Sequence, residues 1–423
     1  MNKSPAPKRP APTDWRSEAM QRRIRRRYGA ERRFRLIGLS AVVLSAGFLA
    51  FLLVTMIGNG MGGFFRSELA VPVDFAAAKL DLNETQIKSS AADLALANAG
   101  LDDLADRSAA KAFGTGQVEL LSENAWLTLR GRLKADPALL NGHTTITMPV
   151  SPEIEAAAKG EGNAQGKAVV AKLRADGVLT TAFNWEFLSE ADSTDPTAVG
   201  IWGALKGSFY TMLVTLALAF PVGVLSALYL EEYAPRNRWT DLIEVSINNL
   251  AAVPSIIFGL LGLALFLGFA GMPRSAPVVG GLTLALMIMP VIVIASRNAI
   301  KAVPPSIRDA ALGVGASRVQ VVFHHVLPMA LPGILTGTII GMARALGETA
   351  PLLMIGMRAF IATPPGGFTD PATVLPVQIF LWSDQVSRGF IEKTSAAIIV
   401  LLLFLLTMNA LAVYLRNRFE TRW

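Results

Sequence analysis

The feature that most constrains this chain is a run of 22 residues without a charged side chain, Leu36–Ile57. A helix needs roughly 20 apolar residues to cross the hydrocarbon core of a bilayer, so this run is long enough to span one. A cleaved signal peptide would have an apolar core of only about 7–15 residues, followed by a small-residue cleavage site. Here the run is longer, and the glycine-rich segment Gly58–Gly63 follows it. We therefore predict an uncleaved first transmembrane helix at residues 36–57.

Five more apolar runs follow in the C-terminal half of the chain. Only 17% of all residues are charged, whereas about a quarter is usual for soluble domains. The absence of cysteine excludes disulfides and cysteine-based metal sites. The sequence therefore predicts an all-α polytopic membrane protein with six transmembrane helices, of which residues 201–423 contribute five. These five predicted spans are Gly203–Leu230, Val245–Ala270, Val278–Ala295, Pro332–Met354 and Ser395–Leu415.

The distribution of charge sets the expected orientation. Residues 1–35 carry twelve basic and three acidic side chains, and the rest of the chain sums to −2. A basic tail can bind nucleic acid or anionic membrane lipid, but beside a first span it is typical of the cytoplasmic side. We favour the second interpretation and expect no nucleic-acid partner. With six spans both termini lie in the cytoplasm, and the basic end Arg416–Arg418 agrees with this.

Residues 66–200 differ in kind from both flanks. They carry 19 acidic and 12 basic side chains and no long apolar run. Ala91–Ala99 has the composition of a helix, whereas Gln117–Leu121, Ala125–Leu129 and Thr144–Met148 are typical of strands. We predict a soluble insert of α/β or α+β type, which lies on the outer, periplasmic side because the tail lies inside.

A loop of about 30 residues, 298–328, separates the fourth and fifth predicted spans. Two prolines end the preceding helix, and Ser306 with Asp309 three residues later is typical of a capped helix start. Glycines then permit a tight bend, and a second short helix, Arg318–Val326, is predicted to end at Pro328. These features predict two short helices at the cytoplasmic face. An ordinary amphipathic loop at the membrane interface would explain the same sequence features equally well.

The same loop resembles the EAA loop of bacterial ABC importer permeases. In that motif Glu-Ala-Ala is followed by three residues, Gly, nine residues, Ile, one residue and Leu-Pro; here Asp309 replaces the Glu and His325 stands at the Ile position. The resemblance implies that the loop docks in a cleft of a cytoplasmic ATPase subunit and carries its power stroke. The positions that it assigns to ATPase docking are Asp309, Ala310, Ala311, Gly315, Leu327 and Pro328.

Two charged residues, Arg344 and Glu348, lie near the middle of the fifth predicted span. A charge there costs about 2.5–3.5 kcal/mol on insertion scales, so such residues normally face a bundle interior or a water-filled path. At positions i and i+4 they would share one helix face. They could form an ion pair that only holds helices together. Alternatively, Arg344 offers a bidentate donor to a passing oxyanion and Glu348 holds it in place.

Arg297, at the end of the fourth predicted span, is a second candidate for the substrate path. Its alternative is a positive-inside anchor, because Lys and Arg gather at the cytoplasmic ends of spans. Arg358 and Lys393 could attract an anion to the outer mouth, although charges on such a rim are usually only solvated.

Three strings resemble the phosphate importer permeases of the PstA type: Ala343–Leu353 around the charged pair, Val253–Leu260 and Leu375–Phe380. The paired permease of PstC type usually lacks the Thr-Ala-Pro-Leu-Leu continuation that the first string has. The resemblance runs from about Trp202 to the C-terminus. It implies a type I ABC importer permease fold in the bacterial inner membrane and a translocation path for inorganic phosphate.

The resemblance also implies the partners. These are a second permease of PstC type, a dimer of ATP-binding subunits of PstB type that holds ATP and Mg²⁺, and a periplasmic phosphate-binding protein. The chain itself lacks a Gly-x-x-x-x-Gly-Lys-Ser/Thr string; the nearest, Gly162–Ala168, has the wrong spacing. We therefore expect no catalytic residue, metal or cofactor in this chain.

The sequence leaves three alternatives open. The first is a permease for another oxyanion, such as sulfate or molybdate. The second is an ion-coupled secondary phosphate transporter, which would be expected to carry an inverted repeat of its spans. The third is a membrane scaffold or sensor that uses the outer insert as its receptor.

Overall fold

The computed structural model describes residues 17–419 except 79, 81, 83, 88–91, 115–117, 358–359, 386 and 388. The chain divides into two compact units after Gly58. In the first unit, residues 18–58 belong to one long helix, α1 (Glu18–Met61). The predicted first span, 36–57, lies within α1, and no residue of its apolar window is buried. Residues 1–16 of the basic tail lie outside the described residues.

Residues 65–189, in the second unit, form a domain of strands and helices. Its antiparallel sheet has the order β2-β1-β3, with β1 (Phe65–Asp74) between β2 (His143–Pro149) and β3 (Leu179–Phe183). Every second residue of β1 from Ser67 to Val73 is buried, as a strand with one covered face requires. The helices of this domain are α2 (Phe75–Ala78), α3 (Glu84–Ile87), α4 (Ala92–Ala97), α5 (Leu101–Phe113), α6 (Trp126–Ala135), α7 (Pro152–Ala158), α8 (Ala164–Ala175) and α9 (Trp185–Ser189).

The mixed character of the insert agrees with its predicted class, but one predicted strand is wrong. Ala125–Leu129 leads into α6, because Leu129 and Leu133 are spaced by one helical turn and are both fully buried. Thr144–Met148 is confirmed as part of β2. In the predicted strand Gln117–Leu121, the described residues form only an isolated bridge from Leu121 to Val150.

The C-terminal part of the second unit is helical. Within the described residues, five helices of the chain are long and apolar enough to cross a membrane, or six if one bent pair counts as a single span. Its helices are α10 (Trp202–Leu228), α11 (Arg238–Ala251), α12 (Ser255–Gly262), α13 (Pro277–Lys301), α14 (Pro305–Gly313), α15 (Arg318–Val321), α16 (Leu327–Gly347), α17 (Ala350–Met354), α18 (Leu375–Ser383) and α19 (Gly389–Phe419). π-Helical turns follow α10 (Tyr229–Tyr233), α12 (Leu263–Phe269) and α15 (Val322–Val326).

The bent pair corrects the third predicted span. Val245–Ala270 is not one straight helix, because α11 and the helix that begins with α12 meet at 101°. The chain turns at Pro254, which has no backbone N–H to continue the ladder of α11 and instead takes the N-cap position of α12. The predicted second, fourth and sixth spans correspond to α10, α13 and α19.

Glycines allow the helices of this part to pack backbone to backbone. In α10, a Cβ on Gly207 would lie 2.0 Å from the carbonyl oxygen of Thr373, and in α13 a Cβ on Gly281 would lie 2.5 Å from Val214. The Thr215 hydroxyl of α10 donates to the Gly281 carbonyl at 3.2 Å. Small residues and hydroxyl groups are what helix pairs in a membrane use for close approach. The α10–α13 pair is thus the packed centre of the unit.

Charged contacts join the insert to the first turn of α19. Lys159 binds Glu155 within the insert and Glu392 on α19. Beside it, the buried ammonium of Lys393 donates to the carbonyl of Gly63 at 2.8 Å. The insert is therefore fixed to the helical core by charged contacts as well as by the chain.

A second contact of this junction joins Asp192, just before α10, to α18. The indole N–H of Trp382 donates to the Asp192 carboxylate at 2.9 Å. Burial raises the pKa of Asp192 above its ordinary value, although the hydrogen bonds that it accepts act in the opposite direction.

We predict that Gly207→Ala destabilises the protein. A methyl group would overlap the Thr373 carbonyl, a backbone atom that cannot turn aside, and overpacking of this kind typically costs about 1–3 kcal/mol. The measurement is the thermal denaturation midpoint in detergent. Gly47→Ala in α1 is the matched control, because nothing lies within 4 Å of its added methyl group. Equal midpoints for the two variants would contradict the packing described here.

A second prediction concerns pH. Because the pKa of Asp192 is raised in the folded state, ionising this carboxyl group costs stability, and the cost appears as the pH rises through that pKa. Asp192→Asn should therefore gain thermal stability relative to the parent protein between pH 4 and pH 8. The exposed Asp384→Asn controls for the loss of one carboxylate. A midpoint difference that stays constant across this range would be evidence against the buried, raised-pKa carboxyl group.

Candidate functional site

Arg344 and Glu348 form a loose pair at the end of α16. The Arg344 Nε atom lies 3.5 Å from Glu348 Oε1, and the two side chains are 44% and 20% exposed. Glu348 is the only ion-pair or hydrogen-bond partner of the Arg344 side chain among the described residues. The two terminal guanidinium nitrogens are thus left to bind something else.

The pair does not lie on one continuous helix, which corrects the i, i+4 argument. The predicted span Pro332–Met354 ends its long helix at Gly347, and Glu348 is the C-cap with an extended ψ of 124°. Pro351 explains the break, because its ring would clash with the carbonyl of Gly347 and it has no N–H to donate. Arg344 consequently lies in the last turn of α16, where the helix dipole stabilises a cation.

The three strings that resemble PstA-type permeases meet around this helix end. In the string Val253–Leu260, a Cβ on Gly259 would lie 2.6 Å from the Cα atom of Pro351, so α12 packs directly against the break. At the start of α18, the Leu375 N–H donates to the Ser208 hydroxyl at 2.8 Å. A small cavity there is lined by side chains of α10, α16, α17 and α18, among them Ser208, Thr211, Ala345, Leu346, Val374 and Pro376.

Arg297 lies in a different environment. Its side chain is only 9% exposed, and it donates to Glu231 at 2.5 Å and to Glu244 at 2.7 Å. If Arg297 turned to a substrate, Glu244 would lose its ion pair and Glu231 would keep only Lys301, at 3.4 Å. The geometry favours the anchoring alternative over a place in the substrate path.

The 298–328 loop contains the predicted first helix, α14, but its start differs from the prediction. Pro304 takes the N-cap position and Pro305 begins the helix, with no side-chain cap from Ser306. Proline suits the first helical position because its missing N–H needs no partner there. The predicted bend is confirmed at Gly315, whose φ of +92° lies in the region that favours glycine.

The second predicted helix of the loop does not end at Pro328. α15 runs through the π-helical turn into α16, so residues 318–347 form one helix. The π-helical turn places Pro328 in the first turn of α16, where its missing N–H costs little. Leu327 and Pro328 therefore lie on a helix that leads directly to Arg344.

The loop presents an exposed surface that the sequence analysis only partly identified. Asp309, Ala310 and Gly315 are exposed, whereas Ala311 is buried. Between and after these positions, four large apolar side chains that the motif does not include are also exposed. These four residues are Leu312, Val314, Val319 and Phe323. The sequence could have identified them, because large apolar side chains in a short segment between two spans have no core of their own to fill.

Acidic residues were missed as well. Glu231 and Glu232 lie in the π-helical turn after α10, and they bind basic residues of α13 and α14. The sequence carries a signal for them, because the segment Glu231–Glu244 is acidic although the predicted topology places it on the cytoplasmic side, where basic residues are expected. That departure from the rule marks carboxylates with an internal use.

The two residues predicted to attract an anion to the outer mouth are Lys393 and Arg358. Lys393 is buried, donates to the Gly63 carbonyl and lies 4.9 Å from the ring centre of Phe187, so it is a junction residue and not a solvated rim charge. Arg358 lies outside the described residues.

Two family models match the chain and divide it between them. Residues 219–421 match the family described as binding-protein-dependent transport system inner membrane component. Residues 21–168 match a domain of unknown function, DUF3333. The first model includes the 298–328 loop and the end of α16, and the second includes most of α1 and of the insert.

Three related proteins match about half of the chain. The probable ABC transporter permease protein YqgI of Bacillus subtilis (strain 168) is 35% identical over 188 residues, which span 44% of this chain and 62% of that protein. The phosphate transport system permease protein PstA 1 of Mycobacterium tuberculosis (strain CDC 1551 / Oshkosh) is 32% identical over 221 residues, or 52% of this chain and 71% of that one. PstA of Haemophilus influenzae (strain ATCC 51907 / DSM 11121 / KW20 / Rd) is 31% identical over 215 residues, 50% and 73% of the respective chains. The match thus spans less than two thirds of the first relative and more than two thirds of the other two.

We predict that Gly315→Ala loosens the 298–328 loop. An alanine forced to a φ of +92° is strained by about 1–2 kcal/mol, which should raise the population of the open loop about fivefold or more. The measurement is the rate of trypsin cleavage after Arg318. Gly313→Ala is the matched control, because its φ is not positive and its methyl group would meet nothing within 4 Å. Equal cleavage rates would show that the bend does not depend on this glycine.

Proposed function

This chain belongs to the binding-protein-dependent transport system inner membrane components, among their PstA-type permeases, and from this membership we propose that it is the membrane-spanning subunit of an ATP-driven importer of inorganic phosphate. Its part is to form one half of the translocation path and to respond to the ATPase. ATP and Mg²⁺ are bound on the ATPase partner, and this chain performs no catalytic step.

The observation that carries the proposal is the state of Arg344. A guanidinium binds a phosphate oxyanion through two parallel N–H donors, and these are the nitrogens that the 3.5 Å contact with Glu348 leaves without partners among the described residues. Glu348 keeps the guanidinium near one position. Its negative charge also weakens the hold on the anion, and a path needs weak binding if the anion is to leave.

Phosphate is chosen over other oxyanions because two of the three relatives described above are named as phosphate transport permeases. Sulfate and molybdate share the same tetrahedral shape and charge, and Arg344 alone does not separate them. Membership in this family also makes an ion-coupled secondary transporter the weaker alternative.

The partners follow from the loop. We propose that Asp309, Ala310 and Gly315, with the exposed Leu312 and Val314 beside them, dock on one subunit of an ATPase dimer. Their apolar side chains supply the contact area, and α14 is short and lies on the surface. The second permease, of PstC type, would complete the path, and a periplasmic phosphate-binding protein would deliver the anion.

The orientation is part of the proposal. The basic tail and the basic end of α19 would lie in the cytoplasm, together with the 298–328 loop. The insert, which is acidic and joined to the outer ends of α18 and α19, would then lie in the periplasm. In this orientation the end of α16 that carries Arg344 is toward the periplasmic side of the path.

We predict that Arg344→Gln lowers phosphate uptake about tenfold or more, because hydrogen bonds to a charged group contribute about 1.5–3 kcal/mol. The measurement is uptake of radiolabelled phosphate by cells with matched amounts of each variant in the membrane, with ATPase co-purification in parallel. Arg344→Lys keeps the charge without the fork and should lose less. Arg236→Gln, an exposed arginine between α10 and α11, is the control.

The outcomes separate the alternatives. Lost uptake with the ATPase still bound supports a place for Arg344 in the path, whereas unchanged uptake makes the Arg344–Glu348 pair structural. Uptake of labelled sulfate or molybdate in place of phosphate would assign another oxyanion. Absence of ATPase co-purification with the unaltered chain would contradict the proposed docking loop.

A further inference from the structure

Arg308 occupies an unusual position on the 298–328 loop. It lies on α14, directly before Asp309, yet its side chain points away from the exposed motif and is only 23% exposed. Its Nε and one terminal nitrogen donate to Glu232 Oε1 at 3.1 and 2.7 Å. Glu232, in the π-helical turn after α10, is itself only 11% exposed.

The same guanidinium also binds the end of α13. One terminal nitrogen donates to the carbonyl of Val303 at 2.6 Å, and the other donates to the carbonyl of Ile300 at 3.0 Å. The Ile300 carbonyl, in the last turn of α13, also accepts the N–H of Val303 at 3.2 Å, and Val303 lies just beyond the end of α13. Pro304 and Pro305 follow at once and have no N–H to donate. Arg308 therefore adds two hydrogen bonds at the end of α13 and joins α14 to α13 and to the turn after α10.

The apolar packing of α14 comes from few side chains. Ala311 is its one fully buried residue, and Ile307 is half-buried against the helical core. Arg308 is also the only residue of α14 with an ion pair among the described residues. The link from Arg308 to Glu232 is accordingly the main polar attachment of α14 to the helical core.

The turn that receives this link is fixed to the core on its other side. Glu231, the neighbour of Glu232, binds Arg297 at 2.5 Å and Lys301 at 3.4 Å, both on α13. The turn continues α10, which packs against α13 along its length through glycine contacts. A pull on Glu232 is thus applied to α10 and α13 together.

We propose that Arg308 is the positioning residue that transmits movement of the 298–328 loop to the α10–α13 pair through Glu232. The exposed motif binds the ATPase, whereas Arg308 makes that binding move the membrane helices. This inference rests on the proposed function, because the movement has to come from an ATPase partner. It separates two tasks within one short helix, docking by Asp309 and its neighbours and coupling by Arg308.

The test uses the whole importer in proteoliposomes: this chain, the second permease, the ATPase subunits and the phosphate-loaded binding protein. The variants are Arg308→Gln, Glu232→Gln and the double variant, with Arg236→Gln as the control for loss of an exposed charge at the same end. Three quantities are measured for each: ATPase co-purification, ATP hydrolysed, and phosphate transported per ATP hydrolysed.

We expect both single variants to retain the ATPase and to hydrolyse ATP, while phosphate transported per ATP falls about fivefold or more. The double variant should be no worse than either single variant, because residues that act through one contact are not additive. Arg308→Lys keeps the charge but not the fork, and should restore part of the coupling. A merely structural role would lower abundance and all three quantities together.

Other outcomes overturn the inference. Unchanged phosphate transport per ATP in Arg308→Gln would show that α14 is coupled by other contacts. Loss of ATPase co-purification in the same variant would make Arg308 a docking residue. If the complex with the unaltered chain binds its ATPase but takes up no phosphate, the proposed substrate fails while the coupling is still read from ATP hydrolysis stimulated by the binding protein. If that complex binds no ATPase, the proposed function fails, and this inference with it.

Discussion

Each break in a helix frees backbone groups that need another partner or cover, and neighbouring elements supply it at two breaks of the helical part. The break after Gly347 is covered by α12, whose Gly259 brings its backbone onto Pro351. The break after α13 is covered by the guanidinium of Arg308, which binds the carbonyls of Ile300 and Val303. The residues proposed to bind substrate and to transmit motion lie at these two covered interruptions. A helix can change direction at a break. The element that covers the break then moves with it.

The arginines of the helical core show how pairing decides function. Arg297 is almost fully buried between two carboxylates, and Arg308 is held by one carboxylate and two carbonyls. Arg308 would leave the nearly buried Glu232 without a cation if it turned to a ligand, and Arg297 would give up two charged hydrogen bonds; breaking a buried pair costs about 3–5 kcal/mol. Arg344 has one contact at 3.5 Å and a side chain that is 44% exposed, so it can bind an anion with little loss. All three arginines carry the same charge. The strength of their existing contacts distinguishes the candidate binding residue, Arg344, from the two that hold helices together.

Hydropathy and charge predicted much of this architecture, and the failures have a common cause. Long apolar runs located α1, α10, α13 and α19 because the length of a bilayer span is fixed. The predictions failed where proline acted: at Pro254, which divides the third span, at Pro351, which removes Glu348 from the helix of Arg344, and at Pro328, which a π-helical turn accommodates. The effect of a proline depends on whether a neighbouring element covers the freed carbonyls, and that is a tertiary property. The partners of Arg308 could not be predicted from the sequence for the same reason, since Glu232 is 76 residues away in the chain.

The insert is connected to the candidate path by packed elements and not by a flexible tether. Lys159 binds Glu392 in the first turn of α19, and Asp192 accepts a hydrogen bond from Trp382 near the end of α18. The start of α18 is in turn held by Ser208 of α10, and with Ala345, the residue next to Arg344, it lines the small cavity at the end of α16. The insert therefore cannot tilt without moving α18 or breaking buried polar contacts, and a displacement of α18 reaches the last turn of α16 directly. Contact alone is not coupling, but these contacts give the insert packed connections to α18, to α19 and, through the hydrogen bond from the Trp202 N–H to the Glu190 carbonyl, to the start of α10.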